Sequence, residues 1–169
     1  MFDASILPTR PFSSFAEATE RLESLCRQLS VRHLSYWCVS YADDAPDQVT
    51  WIATYDPAYM NHYMSTYTPL GDPVFEMTAE IIDWAKVNAA DPAAQIMQDQ
   101  ASRYGIARNG FSYRFKDESG LFVLFSVNVD SAPGDWPWRR DALIEPIKAL
   151  AHVIHQKAKP LVDSRRLAA

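Results

Sequence analysis

The residues most able to do chemistry lie between positions 55 and 84, where Tyr55, Tyr59, Tyr63, Tyr67 and Trp84 are interleaved with Met60, Met64 and Met77 and with the pair Asp72-Pro73. Exposed aromatics gain nothing from burial and invite association, so a surface helix has little reason to carry so many. Something covers them. Tyr and Trp join a large apolar body to one polar tip, which suits a pocket that is mostly greasy yet holds one or two hydrogen bonds. This is the chemistry of holding a small molecule.

Signs of bond-breaking chemistry are scarcer, and the chain does not read as an enzyme. His152 and His155 stand at i and i+3 but have no third ligand at matching spacing, while His33 and His62 stand alone. There is no G-x-S-x-G, phosphate loop, dinucleotide-binding glycine run or H-E-x-x-H. Cys26 and Cys38 show no paired spacing, which fits a reducing compartment better than a disulfide or a metal. Each pocket candidate also has an ordinary use. Asp72 repeats the helix-capping grammar of Asp56-Pro57 and Asp91-Pro92, Tyr59, Tyr63 and Trp84 could be core filler, and Ser126 could simply pair with nearby backbone.

Net charge and hydropathy remove other partners. A charge of −5 leaves too few clustered Lys and Arg to grip nucleic acid. No apolar run approaches the roughly 20 residues that span a bilayer, and Met1-Phe2-Asp3-Ala4 lacks a signal peptide's basic and apolar regions, so no membrane role and a cytoplasmic location are expected.

The elements that must position these residues follow from periodicity. Residues 1–12 form an N-terminal lead-in, 13–158 one domain and 159–169 a linker-like tail. Ser14-Phe15-Ala16-Glu17 is a capping box opening an amphipathic helix that ends near Ser30. Aromatic, β-prone runs at 34–41 and 49–55 form a hairpin across the turn-rich 42–47. The three Asp-Pro pairs announce three helices, the second carrying Val74, Met77 and Ile81 before reaching Trp84. Strands at 109–116 and 121–130 form a second hairpin. A last helix runs from about Trp138 to Lys157 with Pro146 as a kink. Helices at both chain ends can share one face of a sheet while the insertion from 56 to 105 covers the other. The fold class is thus α+β: an α-β-α sandwich of the PAS or GAF sort around a central antiparallel sheet, in which four strands are directly legible and five are expected. Its cavity lies where Tyr55, Tyr59, Tyr63, Asp72 and Trp84 meet Ser126.

Taken in order, Thr54-Tyr55, Tyr59, Tyr63, Asp72-Pro73, Trp84, Tyr104-Gly105-Ile106 and Gly110 resemble the autoinducer-binding domain of LuxR-type quorum-sensing regulators, over most of the chain. The resemblance implies an N-acyl-homoserine lactone as ligand and no cofactor. It further implies that Asp72 accepts the ligand amide N–H, Tyr55 donates to the acyl carbonyl, Tyr63 and Trp84 pack around ligand and lactone ring, and Ser126 adds a polar contact. Tyr59 stands where the family usually has a Trp that donates to the lactone carbonyl, and a phenol places its donor differently. The family's helix-turn-helix is not seen, since Lys159-Pro160 to Ala169 reads as the start of a linker. Two versions follow: the sensory part of a regulator, homodimeric, or a natural protein without a DNA-binding domain that heterodimerises with a full-length LuxR-type activator and inhibits it, with or without a ligand.

Overall fold

The computed structural model describes residues 7–42, 45–67, 71–132 and 134–168; the lead-in before Leu7, the centre of the first hairpin turn and the last residue of the tail lie outside them. Helix α1 (Phe15–Leu29) leads into β1 (His33–Ala42) and β2 (Ala45–Ala53). Then come α2 (Pro57–Thr66), the single turn α3 (Pro73–Glu76), β3 (Ile81–Asp83), α4 (Trp84–Ala90) and α5 (Pro92–Ser102). The hairpin β4 (Asn109–Lys116) and β5 (Phe122–Val129) precedes the long α6 (Trp136–Ala168). The five strands form one antiparallel sheet in the order β2-β1-β5-β4-β3.

Alternation on the strands assigns the two faces. Leu34, Tyr36, Phe111, Val123, Phe125 and Val127 meet Leu22 and Leu25 of α1 and Ile147, Leu150 and Ile154 of α6 in one core. Trp37, Val39, Phe122 and Leu124 face the opposite way and are covered by α2–α5 in a second core, with Tyr59, Met60, Tyr63, Phe75 and Met97. Strand β5 is therefore buried along its whole length, as a strand apolar on both sides must be.

One expected helix is broken up. The turn after Asp72 ends at Glu76, Met77 is extended, and Ile81 belongs, with Ile82, to strand β3 instead of a helix face. Two β-branched residues in a row lower helix preference, and pairing Ile81 with Tyr113 and Ile82 with Ser112 satisfies their backbone on the open edge of β4. Trp84 consequently begins a helix, with Asp83 as its cap. At the other end α6 continues past Lys157 and through Pro146 and Pro160 to Ala168. Tertiary contacts hold the extension: Ala158 and Val162 are buried, and the Arg165 guanidinium sits 4.3 Å from the centre of the Phe15 ring. Among the described residues no helix is long and apolar enough to cross a membrane.

Helix α6 is also tied to the β4–β5 turn by a buried polar chain. The Tyr36 hydroxyl and His155 Nδ1 are 2.8 Å apart, and His155 Nε2 lies 3.1 Å from Asp117, which also accepts from the Leu121 N–H and from Lys159. Burial holds the His155 imidazole below its ordinary pKa of 6.5, against the pull of Asp117. Burial would raise the Asp117 carboxyl, but hydrogen bonds from Ser119, His155, Leu121 and Lys159 outweigh it and hold the group below its ordinary 3.8. Both shifts are downward, so the folded protein binds fewer protons than the unfolded chain below each ordinary value. The contribution of these groups to stability is thus expected to be complete above pH 6.5, to decline as pH falls through the range of His155, and of His33, whose imidazole burial also holds low, and to decline again below 3.8 as Asp117 protonates. Asp117→Asn should remove the second decline. Thermal unfolding followed across acid pH checks this, and a melting temperature flat below 6.5 would contradict it.

Candidate functional site

Tyr55 follows β2, Tyr59 and Tyr63 stand one helical turn apart on α2, Asp72 caps α3, Trp84 starts α4, and Ser126 lies on the inner face of β5. The structure brings all six to one cavity, between the sheet and α2–α5. The cavity measures about 90 Å³.

Among the described residues Asp72 is the one carboxylate on its wall. Its Oδ1 accepts the Val74 N–H at 2.9 Å, the capping bond, and its Oδ2 accepts the Tyr63 hydroxyl at 2.7 Å. Asp56 and Asp91 make the same capping bond, to Ala58 and Ala93, but neither lines the cavity. Burial raises the Asp72 carboxyl above its ordinary value, while Tyr63 and the Val74 N–H pull it down. An N–H donor arriving from the cavity would add to that pull, because it stabilises the charged form.

The floor is a row of serines. Ser35 on β1 pairs with Ser126 on β5, and Ser126 with Ser112 on β4, so three hydroxyls cross three adjacent strands in register. All three are buried and line the cavity. Ser112 and Ser126 are 2.8 Å apart; the Trp84 indole N–H donates to Ser112 at 2.9 Å, and the Trp37 indole N–H to Ser35 at 3.2 Å. Trp84 reaches this position across Gly110, where a Cβ would come within 2.4 Å of the indole. Ser35 is also a hydrogen-bonding neighbour of the Tyr55 phenol, which burial holds well above its ordinary pKa.

The lid is aromatic. The Tyr59 ring lies 5.6 Å from Tyr55, 6.0 Å from Tyr63 and 5.5 Å from Tyr104. Burial raises its phenol far above the ordinary value, and among the described residues its hydroxyl has no hydrogen-bond partner. Gly105, next to Tyr104, has φ +80°, a conformation that favours glycine, and Ile106 beyond it lines the cavity.

Ser35, Trp37, Ser112 and Gln98 were not anticipated. Gln98 lines the cavity from α5 with its amide on the Ala107 carbonyl. The serines did carry a signal, for a buried hydroxyl breaks the alternation of large inward side chains on its strand. What makes them a row is register between strands far apart in sequence, and that is a tertiary property. Among the described residues the lining offers one carboxylate, several hydroxyls, the amides of Asn88 and Gln98 and a large aromatic surface, and no cluster of metal-binding side chains exists among them.

A model of the autoinducer-binding domain matches residues 14–158. The chain belongs to that family. Its fold is that of LuxR-type regulators of known structure. SdiA from Escherichia coli superposes with a TM-score of 0.71 at 18% identity, covering 90% of this chain and 63% of SdiA. SdiA in complex with octanoyl-rac-glycerol gives 0.63 at 16%, with 89% and 61% covered. The N-acylhomoserine lactone-dependent LuxR-family factor CepR2 from Burkholderia cenocepacia gives 0.68 at 18%, covering 88% of this chain and 86% of CepR2. The chain thus spans under two thirds of SdiA. Comparison with curated protein sequences finds no match. In this autoinducer-binding domain, α1 and α6 support one face of the sheet and α2–α5 enclose the cavity on the other.

Proposed function

We propose that this autoinducer-binding domain senses a small signal, an N-acyl-homoserine lactone or a related molecule, in the cavity between the sheet and α2–α5, as part of a cytoplasmic, dimeric LuxR-type regulatory system. Asp72 carries the reading. Among the described residues it is the one carboxylate on a wall of apolar, hydroxyl and amide side chains, with one oxygen on the Tyr63 hydroxyl and the other on the Val74 N–H, and lone pairs remain for a ligand amide. Tyr55 and Ser126 supply further polar contacts, Tyr63 and Trp84 pack on the ligand, and Tyr59 meets the head group with its unpartnered hydroxyl. The SdiA complex with octanoyl-rac-glycerol supports this class of ligand, a polar head joined to an acyl tail.

The test is a thermal-shift series with acyl-homoserine lactones. A lactone at 100 times its Kd should stabilise the fold by about 2.7 kcal/mol. For a domain of this size that raises the melting temperature by roughly 5–11 °C. A melting temperature unmoved by every lactone would count against sensing.

A second reading has one observation in its favour. At about 90 Å³ the cavity is far smaller than the roughly 300 Å³ at which ligand pockets usually begin. A module closed by its own side chains could act by heterodimerising with a full-length LuxR-type activator and inhibiting it. Stable co-elution with such an activator in the absence of any lactone would favour this version.

A further inference from the structure

The apolar end of the cavity is shut by a packed aromatic layer, and the layer belongs to the sheet as much as to the lid. On the inner face, the row of Ser35 and Ser126 is followed by Trp37 and Leu124, and then by Val39 and Phe122. Trp37 and Leu124 line the cavity, whereas Val39 and Phe122, fully buried, lie behind them. The stop therefore stands directly beside the serine floor, one inward-facing pair further along the two strands.

Trp37 is held in that place from four sides. Its indole N–H donates to Ser35 at 3.2 Å, and its ring lies 5.6 Å from Phe75 edge-on, 5.6 Å from Tyr63 and 6.1 Å from Trp51 on the neighbouring strand. Phe75 in turn packs 6.3 Å from Phe122. To move Trp37 would break a buried hydrogen bond and open the second core. The lid side is softer: Met60 and Met97 line it, and methionine side chains adapt their shape readily. The 90 Å³ present is about three water volumes, less than the space known to admit a benzene, so a ligand must displace something. The lid methionines adapt more readily than Trp37, which a buried hydrogen bond and three ring contacts hold.

We infer that Trp37, braced by Phe75, is a specificity-determining residue that closes the cavity to long acyl chains, so that the domain selects a compact, short-chain signal whose polar part engages Asp72 and the serine row. The inference rests on the sensing function proposed above and names the ligand class for the same site.

Calorimetric titration of butanoyl-, octanoyl- and dodecanoyl-homoserine lactone into the wild-type chain and into Trp37→Ala tests it. In an unobstructed apolar tunnel every two added methylenes would raise affinity about tenfold. Here the wild type should bind the butanoyl lactone at least about tenfold more tightly than the dodecanoyl lactone, since a chain that finds no space adds nothing but strain. Trp37→Ala should reverse that order. Phe75→Val opens the same stop from the lid and serves if Trp37→Ala does not fold, and the wild-type series is decisive without either. Wild-type affinity that rises with chain length, or a folded Trp37→Ala with the wild-type preference, would overturn the stop while leaving lactone sensing intact. No binding of any lactone by folded wild type and variant would overturn the sensing function, and the stop with it.

Discussion

Asp72→Asn should cut the lactone-induced rise in melting temperature by about half or more, while the unliganded protein unfolds within about 1 kcal/mol of wild type, because Asn is as good an N-cap as Asp. The amide oxygen of Asn can still take the Val74 N–H, and the amide also relieves the cost of a charge that burial already disfavours. What it cannot supply is a charged acceptor for a ligand N–H. Hydrogen bonds to charged groups contribute about 1.5–3 kcal/mol, so affinity should fall roughly 10- to 150-fold. Asp56→Asn and Asp91→Asn are the controls. Each of those aspartates caps its helix through one N–H, at 2.7 Å and 2.8 Å, and neither reaches the cavity. Calorimetric titration of all three variants with the best-binding lactone decides the matter. Equal losses would reduce Asp72 to a cap, and unchanged binding in Asp72→Asn would remove the carboxylate from recognition. Asp72→Ala should behave differently from Asn: it leaves the Val74 N–H uncapped and the Tyr63 hydroxyl without its acceptor, adding a stability loss of about 2–4 kcal/mol.

Gly110→Ala should cost stability and distort the site together. A Cβ at this position would lie 2.4 Å, 2.6 Å and 2.8 Å from three carbons of the Trp84 indole, well inside van der Waals contact. Backbone conformation is not the reason for the glycine; space is. The indole would have to leave Ser112, whose hydroxyl joins Ser126 on the cavity floor. Overpacking of this kind costs about 1–3 kcal/mol, and each kcal/mol lowers the melting temperature of a domain this size by roughly 2–4 °C. Trp84→Leu should relieve the clash, so the double variant Gly110→Ala/Trp84→Leu should be less destabilised than the sum of the single changes, a coupling that a thermodynamic cycle measures. Additive losses, or an alanine variant as stable as wild type, would show that Gly110 does not make room for Trp84.

The two features differ in how they could be read from the chain. Asp-Pro before a helix is local grammar, and it placed Asp56, Asp72 and Asp91 at helix starts, as found. The same grammar failed just beyond Asp72, because Ile81, which looked like part of a helix face, is held with Ile82 in an edge strand by β4, more than 25 residues away. Length of α6 was misread for a similar reason. Prolines are local stop signals, but buried Ala158 and Val162 and the contact of Arg165 with Phe15 outweigh them.

By itself, then, the sequence determined what depends on neighbours along the chain: the amphipathic helices at each end, the two hairpins, the caps, and a cluster of tyrosines and a tryptophan too costly to leave in water. It also carried the ordered motif that marks the family. Tertiary structure alone decided what depends on register and on volume. It set Ser35, Ser126 and Ser112 side by side, it gave Asp72 the Tyr63 hydroxyl that the other two caps lack, and it placed Trp37 and Phe75 across the end of the cavity. Strand alternation tells which side of the sheet a residue faces, but only packing tells how much space is left there.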